Sequence, residues 1–370
     1  EETEPPYFEL DSETFKVYAT RECSIRTIDL DYSLQVARDY MPNLKYVDIF
    51  VDQSYILEET FSSFGSGASN PNFVLSSYVL KHFFEGKSSD LVTFSFQLDD
   101  CCWEQMKALT DRCRAFAPLA RMPNLKKLSL TNFGFDDVET LTMCLNPGLE
   151  SLNLSNAAMG YERFWSSSQV DALAGKLSQL PRLVSLSLSD IPFTDRHLRL
   201  LLPRLNQLKC LDLCGNFSDP FESPLTDDGL KAIAEHCPNI LSVDLDYQGK
   251  IAKSGILALI QNCPNLLEIG LCGTSIEVED VEDILTMTNK LLILSFGKIG
   301  HSLSSLEKRK LQNAVVSTKG RVVVCMNGLV KMSLSPEFKV NQDDSFAKVE
   351  KAHKQQFDPM FCNKWDGLQG

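Results

Sequence analysis

Residues 237–271 read CPNILSVDLDYQGKIAKSGILALIQNCPNLLEIGL, and the segment begins and ends on the same phrase. Cys-Pro-Asn, an apolar anchor and then alternating apolar residues recur, with the anchors Ile240 and Leu266 26 residues apart. Across each phrase, apolar and polar residues alternate with period two, as a strand requires. Between the phrases, SGILALIQNC (254–263) carries its apolar residues at helical spacing. A strand and a helix at this short period bury their apolar faces only against neighbouring copies. The expected fold class is therefore α/β: a solenoid with a parallel sheet on the concave face and helices on the convex face.

The pattern extends in both directions. Upstream lie MPNLKKLSL to Leu130, NPGLESLNL to Leu154, LPRLVSLSL to Leu188 and LNQLKCLDL to Leu213. Downstream, NKLLILSF ends at Phe296, and GRVVVCMN reads as one more strand. Looser copies are SIRTIDL to Leu30, MPNLKYVDI to Ile49 and SDLVTFSF to Phe96, which makes about ten repeats. Helical patterns follow most of them: FTDRHLRLLLPRL (193–205), LTDDGLKAIAEHC (225–237) with an Asp cap, and VEDVEDILTM (278–287).

Units of the form C-P-N-L-x-x-L-x-L followed by T-D-D-G-L-x-x-I-A-x-x-C resemble the cysteine-containing subfamily of leucine-rich repeats. That subfamily is similar to the repeat regions of F-box substrate receptors and of ribonuclease-inhibitor-like proteins. The resemblance is strongest over 205–290 and implies a right-handed horseshoe that binds protein. No L-P-x-E helical box stands in residues 1–40, so the ubiquitin-ligase adaptor role of F-box proteins is not carried over.

Bulk chemistry narrows the function. The net charge is −13, which disfavours phosphate backbones, because that affinity comes from Lys and Arg displacing counterions. A protein partner with a basic surface or segment is expected instead, and no nucleic acid. No run approaches the roughly 18 apolar residues of a membrane span, so membrane insertion is not expected. Glu1 to Pro6 is acidic and polar and reads as neither a signal nor a transit peptide. Many of the 12 cysteines, such as Cys210, Cys237, Cys263 and Cys272, occupy repeat positions and read as reduced thiols in an intracellular compartment, cytoplasmic or nuclear.

Catalytic chemistry finds no foothold. The five histidines stand at no metal-ligand spacing, and no nucleophile elbow, HExxH, P-loop or dinucleotide fingerprint occurs. No catalytic residue, metal or cofactor is expected, and the chain reads as a non-enzyme.

Two sets of residues are candidates for partner binding. Residues between the leucines project away from the core. Of 30 such positions, seven are acidic and one, Lys127, is basic. On this concave face the candidates are Asp48, Ser187, Asp212, Asp244, Asp246 and Glu268. The second set comes from irregular spacing: Leu44 to Leu91 is 47 residues, Leu149 to Leu183 is 34 and Leu208 to Ile240 is 32. The excess falls after the strand each time and is rich in aromatics, the usual anchors of an interface. The rim candidates are Tyr55, Phe64, Tyr161, Phe164, Trp165, Phe217 and Phe221, with local packing as the competing role.

The expected organisation is an N-terminal cap or extension over 1–20, the solenoid over 21–330, and a capping or docking tail over 331–370. The expected function is a non-catalytic scaffold or adaptor. The alternatives are a small-GTPase regulator of leucine-rich-repeat type and a structural subunit of a large assembly.

Overall fold

A computed structural model describes residues 7–10, 13–19, 28–51, 73–74, 77–87, 90–98, 114–135, 137–159, 165–216, 224–288, 290–297, 304–318 and 322–326. The chain divides into two compact units, Glu1–Leu183 and Val184–Gly370. Each is a stack of leucine-rich repeats of the expected α/β class.

In the first unit β1 (Tyr7–Leu10) runs antiparallel to β2 (Thr14–Ala19). Parallel strands follow: β4 (Tyr46–Val51), β6 (Thr93–Leu98), β7 (Lys127–Thr131) and β9 (Ser151–Asn153). SIRTIDL departs from its expected place. Its strand β3 (Ile28–Asp29) pairs with β5 (Phe73–Val74) outside the main sheet, and Leu30 begins the helix Leu30–Tyr40. The cause is local: Leu34 and Ala37 are buried at helical spacing directly after the strand. TFKVYA (14–19), inside the expected N-terminal cap, takes the sheet position instead. A second small pair joins β8 (Gly134–Phe135) to β10 (Ala158–Met159).

The second unit is more regular. Strands β11 (Ser185–Ser187), β12 (Cys210–Asp212), β13 (Ser242–Asp244), β14 (Glu268–Gly270), β15 (Ile293–Phe296) and β16 (Val323–Met326) lie parallel in chain order. The expected extra strand over GRVVVCMN is thus present. Helices Asp195–Leu201, Asp227–His236, Lys253–Asn262, Val278–Met287 and Ser305–Ser317 alternate with them.

Three backbone devices repeat. Proline initiates a tight turn at the helix end, so that Ile240 N–H donates to Cys237 O at 3.1 Å and Leu266 N–H to Cys263 O at 3.1 Å. One carbonyl just before each strand then accepts two N–H groups of the next repeat. Lys209 and Cys210 donate to Val184 O, Leu241 and Ser242 to Lys209 O, and Leu267 and Glu268 to Leu241 O. Beyond the strand the chain turns through a left-handed residue: Asn132, Asn156, Asp190, Tyr247 or Gly273, with φ between 57° and 69°.

Core packing differs between the units. The second buries mainly Leu, Ile and Cys, with Phe193 and Phe296, whereas the first buries Phe84, Phe94, Phe96, Phe116 and Phe133 in a chain of ring contacts 5.0–6.5 Å apart. The bulkier rings fill volume where a 3-10 helix, Arg114–Arg121 with Pro118 inside it, replaces an α-helix.

Cysteine has a specific place in this core. Cys263 Sγ donates to Cys237 O at 3.6 Å, and Cys237 Sγ to Leu205 O at 3.9 Å, each reaching the same position one repeat back. In the first unit Asn146 reaches Met122 O at 2.6 Å, and the buried Lys87 ammonium reaches Met41 O. Burial pushes the Lys87 pKa below the usual lysine range. Burial also pushes the thiols of Cys144 and Cys237 up to about 12 and that of Cys263 up to about 11. At about pH 8 the three stay protonated, so iodoacetamide should leave them unmodified in the native protein and label them in denaturant. Labelling of any of the three at the denatured rate, read by mass spectrometry, would contradict this packing.

The helix starts are capped across repeats. Sequence places an Asp cap on the helix at Asp227, but its N-cap is Thr226, whose Oγ1 accepts from Asp228 N–H at 3.2 Å. Thr226 is itself held by Asp195 of the previous repeat, which accepts from Thr226 N–H at 3.0 Å and from Oγ1 at 2.7 Å. Asp227 serves the next helix, whose N-cap Ala252 has no capping side chain. It accepts from Ala252 N–H at 2.8 Å, from Gly255 N–H at 3.0 Å and from Ser254 Oγ. Gly255 is required there, because a Cβ would lie 2.6 Å from Asp227 Oδ1. Asp227→Ala should therefore destabilise the protein by about 1–3 kcal/mol in urea unfolding, although it caps nothing on its own helix. An unchanged midpoint would show that the inter-repeat cap contributes nothing.

Candidate functional site

The sheet face turned away from the helices is built by register. In the second unit one row runs Ser187, Asp212, Asp244, Gly270, Ser295, and the row beside it Ser185, Cys210, Ser242, Glu268, Ile293. Four of the six concave candidates therefore come together as carboxylates: Asp212, Asp244, Asp246 and Glu268. Ser187 lies beside them, and Asp48 lies on β4 of the first unit.

Each carboxylate is held by the repeat structure. Asp212 accepts Ser187 Oγ at 2.7 Å and Cys214 N–H at 3.0 Å. Asp244 accepts Asp246 N–H at 3.0 Å, and Glu268 accepts Ser242 Oγ at 3.0 Å. Asp246 accepts Cys272 N–H from the next repeat at 2.8 Å and Ser295 Oγ at 3.5 Å. Part of the acidic count is thus local chemistry. The bond from a strand carboxylate or amide to the N–H two residues on recurs at Asn153, which accepts from Ser155, and it fastens the strand exit. Ser187 and Asp246 are only 4% exposed, so they present little surface to a partner, whereas Asp212, Asp244 and Glu268 are half-buried.

Gly270 explains how the acids converge. A Cβ there would stand 2.5 Å from Asp244 Oδ1 and 2.8 Å from Asp246 Oδ1, so both carboxylates lean over the bare backbone. Sequence reading passed over this glycine. Its signal was a residue with no side chain at an outward strand position flanked by Asp244 and Asp246.

The first unit offers a different surface. Its rows run Tyr46, Thr93, Lys127, Ser151 and Asp48, Ser95, Ser129, Asn153. Thr93, Ser95, Ser129 and Ser151 are buried, because small side chains on closely spaced strands are shadowed by longer neighbours. Gln97 Nε2 donates to Ser95 Oγ at 2.9 Å, and the hydroxyls of Ser129 and Thr131 lie 3.1 Å apart. Tyr46 stands 41% exposed among them.

Of the rim candidates, Trp165 is half-buried and donates its Nε1–H to Ala157 O at 2.9 Å, the local packing role. Tyr55, Phe64, Tyr161, Phe164, Phe217 and Phe221 lie outside the described residues, as does the tail 331–370. His197, one of the histidines considered for chemistry, is buried, and its Nδ1 accepts Thr194 N–H at 3.0 Å as the far half of a capping box. Among the described residues no group of three or more His, Cys, Asp or Glu is arranged to hold a metal ion. Among the same residues no helix is long and apolar enough to cross a membrane.

No family model matches the chain, and no curated protein matches it. Solved structures similar to it include a crystal structure of the Rad7 and Elc1 complex in yeast, at 15% identity and TM-score 0.47. That match covers 72% of this chain and 66% of the other, so the chain spans just under two thirds of its neighbour. The leucine-rich repeat-containing protein LegL7 from Legionella pneumophila matches at 12% identity and TM-score 0.44, over 90% of this chain and 96% of that one. The actin-binding site 2 of leiomodin-1 matches at 19% identity and TM-score 0.29, over 42% of this chain and 92% of the other.

Gly270→Ala should force the two carboxylates apart and break one of their bonds to Asp246 N–H or Cys272 N–H. A loss of about 1–3 kcal/mol in urea unfolding is expected. Wild-type stability in the alanine variant would mean that the carboxylates are not fixed over Gly270.

Proposed function

We propose that the chain is a non-catalytic interaction scaffold or adaptor. In this reading it holds a basic protein segment against the open sheet face of its second unit. The observation that carries the reading is the set of Asp212, Asp244 and Glu268 on adjoining rows, fixed by backbone and hydroxyl donors, with Asp246 buried beside them. Like charges gathered on one face repel, and a cationic partner relieves that repulsion. Donors that hold the carboxylates in advance lower the ordering cost of binding.

The aromatic insertions are proposed as secondary anchors at the rim, and residues 1–20 and 331–370 as covers for the ends of the repeat stack. Cys144, Cys210, Cys214, Cys237, Cys263 and Cys272 are free thiols, which supports an intracellular setting.

The test uses a fluorescent oligo-arginine peptide and measures its anisotropy against salt. Neutralising Asp244→Asn and Glu268→Gln together should weaken binding about tenfold at low salt and flatten the salt dependence. Glu235→Gln with Glu282→Gln, on exposed helix positions, serves as the control for net charge. Equal loss in both double variants would mean that the peptide senses overall charge alone and would refute the acidic-face reading. Asp246 is left intact because it also holds the strand exit of the next repeat.

A further inference from the structure

The one basic residue among the outward strand positions is Lys127, and the acidic face of the second unit leaves it unused. Strand register sets it in the row Tyr46, Thr93, Lys127, Ser151 of the first unit, with a hydroxyl residue on either side. On the adjoining row the small polar groups are engaged. Ser95 Oγ accepts from Gln97 Nε2 at 2.9 Å, Ser129 Oγ lies 3.1 Å from Thr131 Oγ1, and Asn153 Oδ1 accepts from Ser155 N–H at 2.9 Å.

Ser151 is the exception. The residue is 4% exposed, and its Oγ is the one buried hydroxyl among the described residues with no hydrogen-bond partner. Leu152 and Leu154 are fully buried, so alternation along the strand turns Ser151 to the open face. Its backbone N–H is engaged by Lys126 O at 3.0 Å, and the neighbouring Glu150 carboxylate is paired with Lys126 Nζ at 2.9 Å. A buried polar group left without a partner costs stability, and native proteins keep few of them. Rotation about χ1 carries the Ser151 hydroxyl towards the open face without moving the backbone, where it can donate to an incoming oxygen.

We propose that Lys127 and Ser151 form a carboxylate-binding site on the open sheet face of the first unit, and that its ligand is an acidic side chain of an extended protein segment. The Lys127 ammonium supplies the charge and the Ser151 hydroxyl the directed donor, a combination that makes strong hydrogen bonds to oxyanions. One ammonium balances the single charge of a carboxylate, whereas a phosphate dianion calls for a cluster of arginines. The site is chemically opposite to the acidic face of the second unit and does not depend on it.

Stability and binding should move in opposite directions in Ser151→Ala. Removal of the unpartnered hydroxyl should raise the thermal midpoint by about 2 °C. Affinity for a fluorescent oligo-glutamate peptide, read by anisotropy at about 0.15 M salt to screen distant charges, should fall about three- to tenfold. Lys127→Gln should weaken the same binding about tenfold, while Lys81→Gln, on an exposed helix position of the same unit, should change it little. A lower midpoint in Ser151→Ala would show that the hydroxyl serves the fold, and unchanged affinity would show that it does not meet the ligand; either overturns the proposal. Equal loss in the two lysine variants would overturn it as an effect of net charge. Tighter binding of a phosphoserine peptide of the same length would assign the site to phosphate and overturn the carboxylate. Failure of the unaltered protein to bind the glutamate peptide would overturn the site outright and leave the acidic-face reading of the second unit in place.

Discussion

Within each unit a shared acceptor ties one repeat to the next, beside the strand pairing itself. The carbonyl just before a strand receives two successive N–H groups of the following repeat, four times among the described residues of each unit. A backbone acceptor has two lone pairs and a fixed direction, so this geometry sets both the spacing and the register of the next strand. Register then forces equivalent residues into rows. Leucine stacks on leucine inside, and outward residues stack on one another on the open face.

Much of the unusual chemistry follows from those rows. A side chain at a given repeat position always finds the same position of the neighbouring repeat beside it. Asp195 and Asp227 can therefore cap helices other than their own, and Ala252 can stand at an N-cap without a polar atom. Cys237 and Cys263 likewise send weak donors to carbonyls one repeat back, where Asn146 and Lys87 make stronger bonds in the first unit. The thiols are held by desolvation in a state suited to packing rather than to reaction.

On the acidic face, residues that fasten the fold also carry its surface charge. Asp212 and Asp244 fasten their own strand exits, and Asp246 fastens that of the next repeat, yet their charges accumulate on one surface. Their bonds to strand exits limit which acids can be altered without loosening the fold. Gly270 gives up a side chain where two carboxylates converge, and Tyr247 carries one where the turn disfavours it.

Leucine spacing, proline before the anchor residue and period-two alternation were enough to determine the repeat class, most strands and the helices at Asp195, Asp227, Lys253 and Val278. These signals are local, and burial within a repeat depends mainly on its own residues. The start of the chain was misread because a helical period begins directly after Ile28–Asp29, which takes that strand out of the sheet and leaves the place to Thr14–Ala19. The outward position of Asp212, Asp244 and Glu268 was legible from alternation. The burial of Ser187 and Asp246 was not, because it depends on side chains one strand away. Tertiary structure alone decided that Asp227 caps a neighbour, that two carboxylates meet over Gly270, and that Tyr247 occupies a turn made for asparagine or glycine. Each of these joins residues about one repeat apart in sequence, a distance across which only the stacked backbone fixes who touches whom.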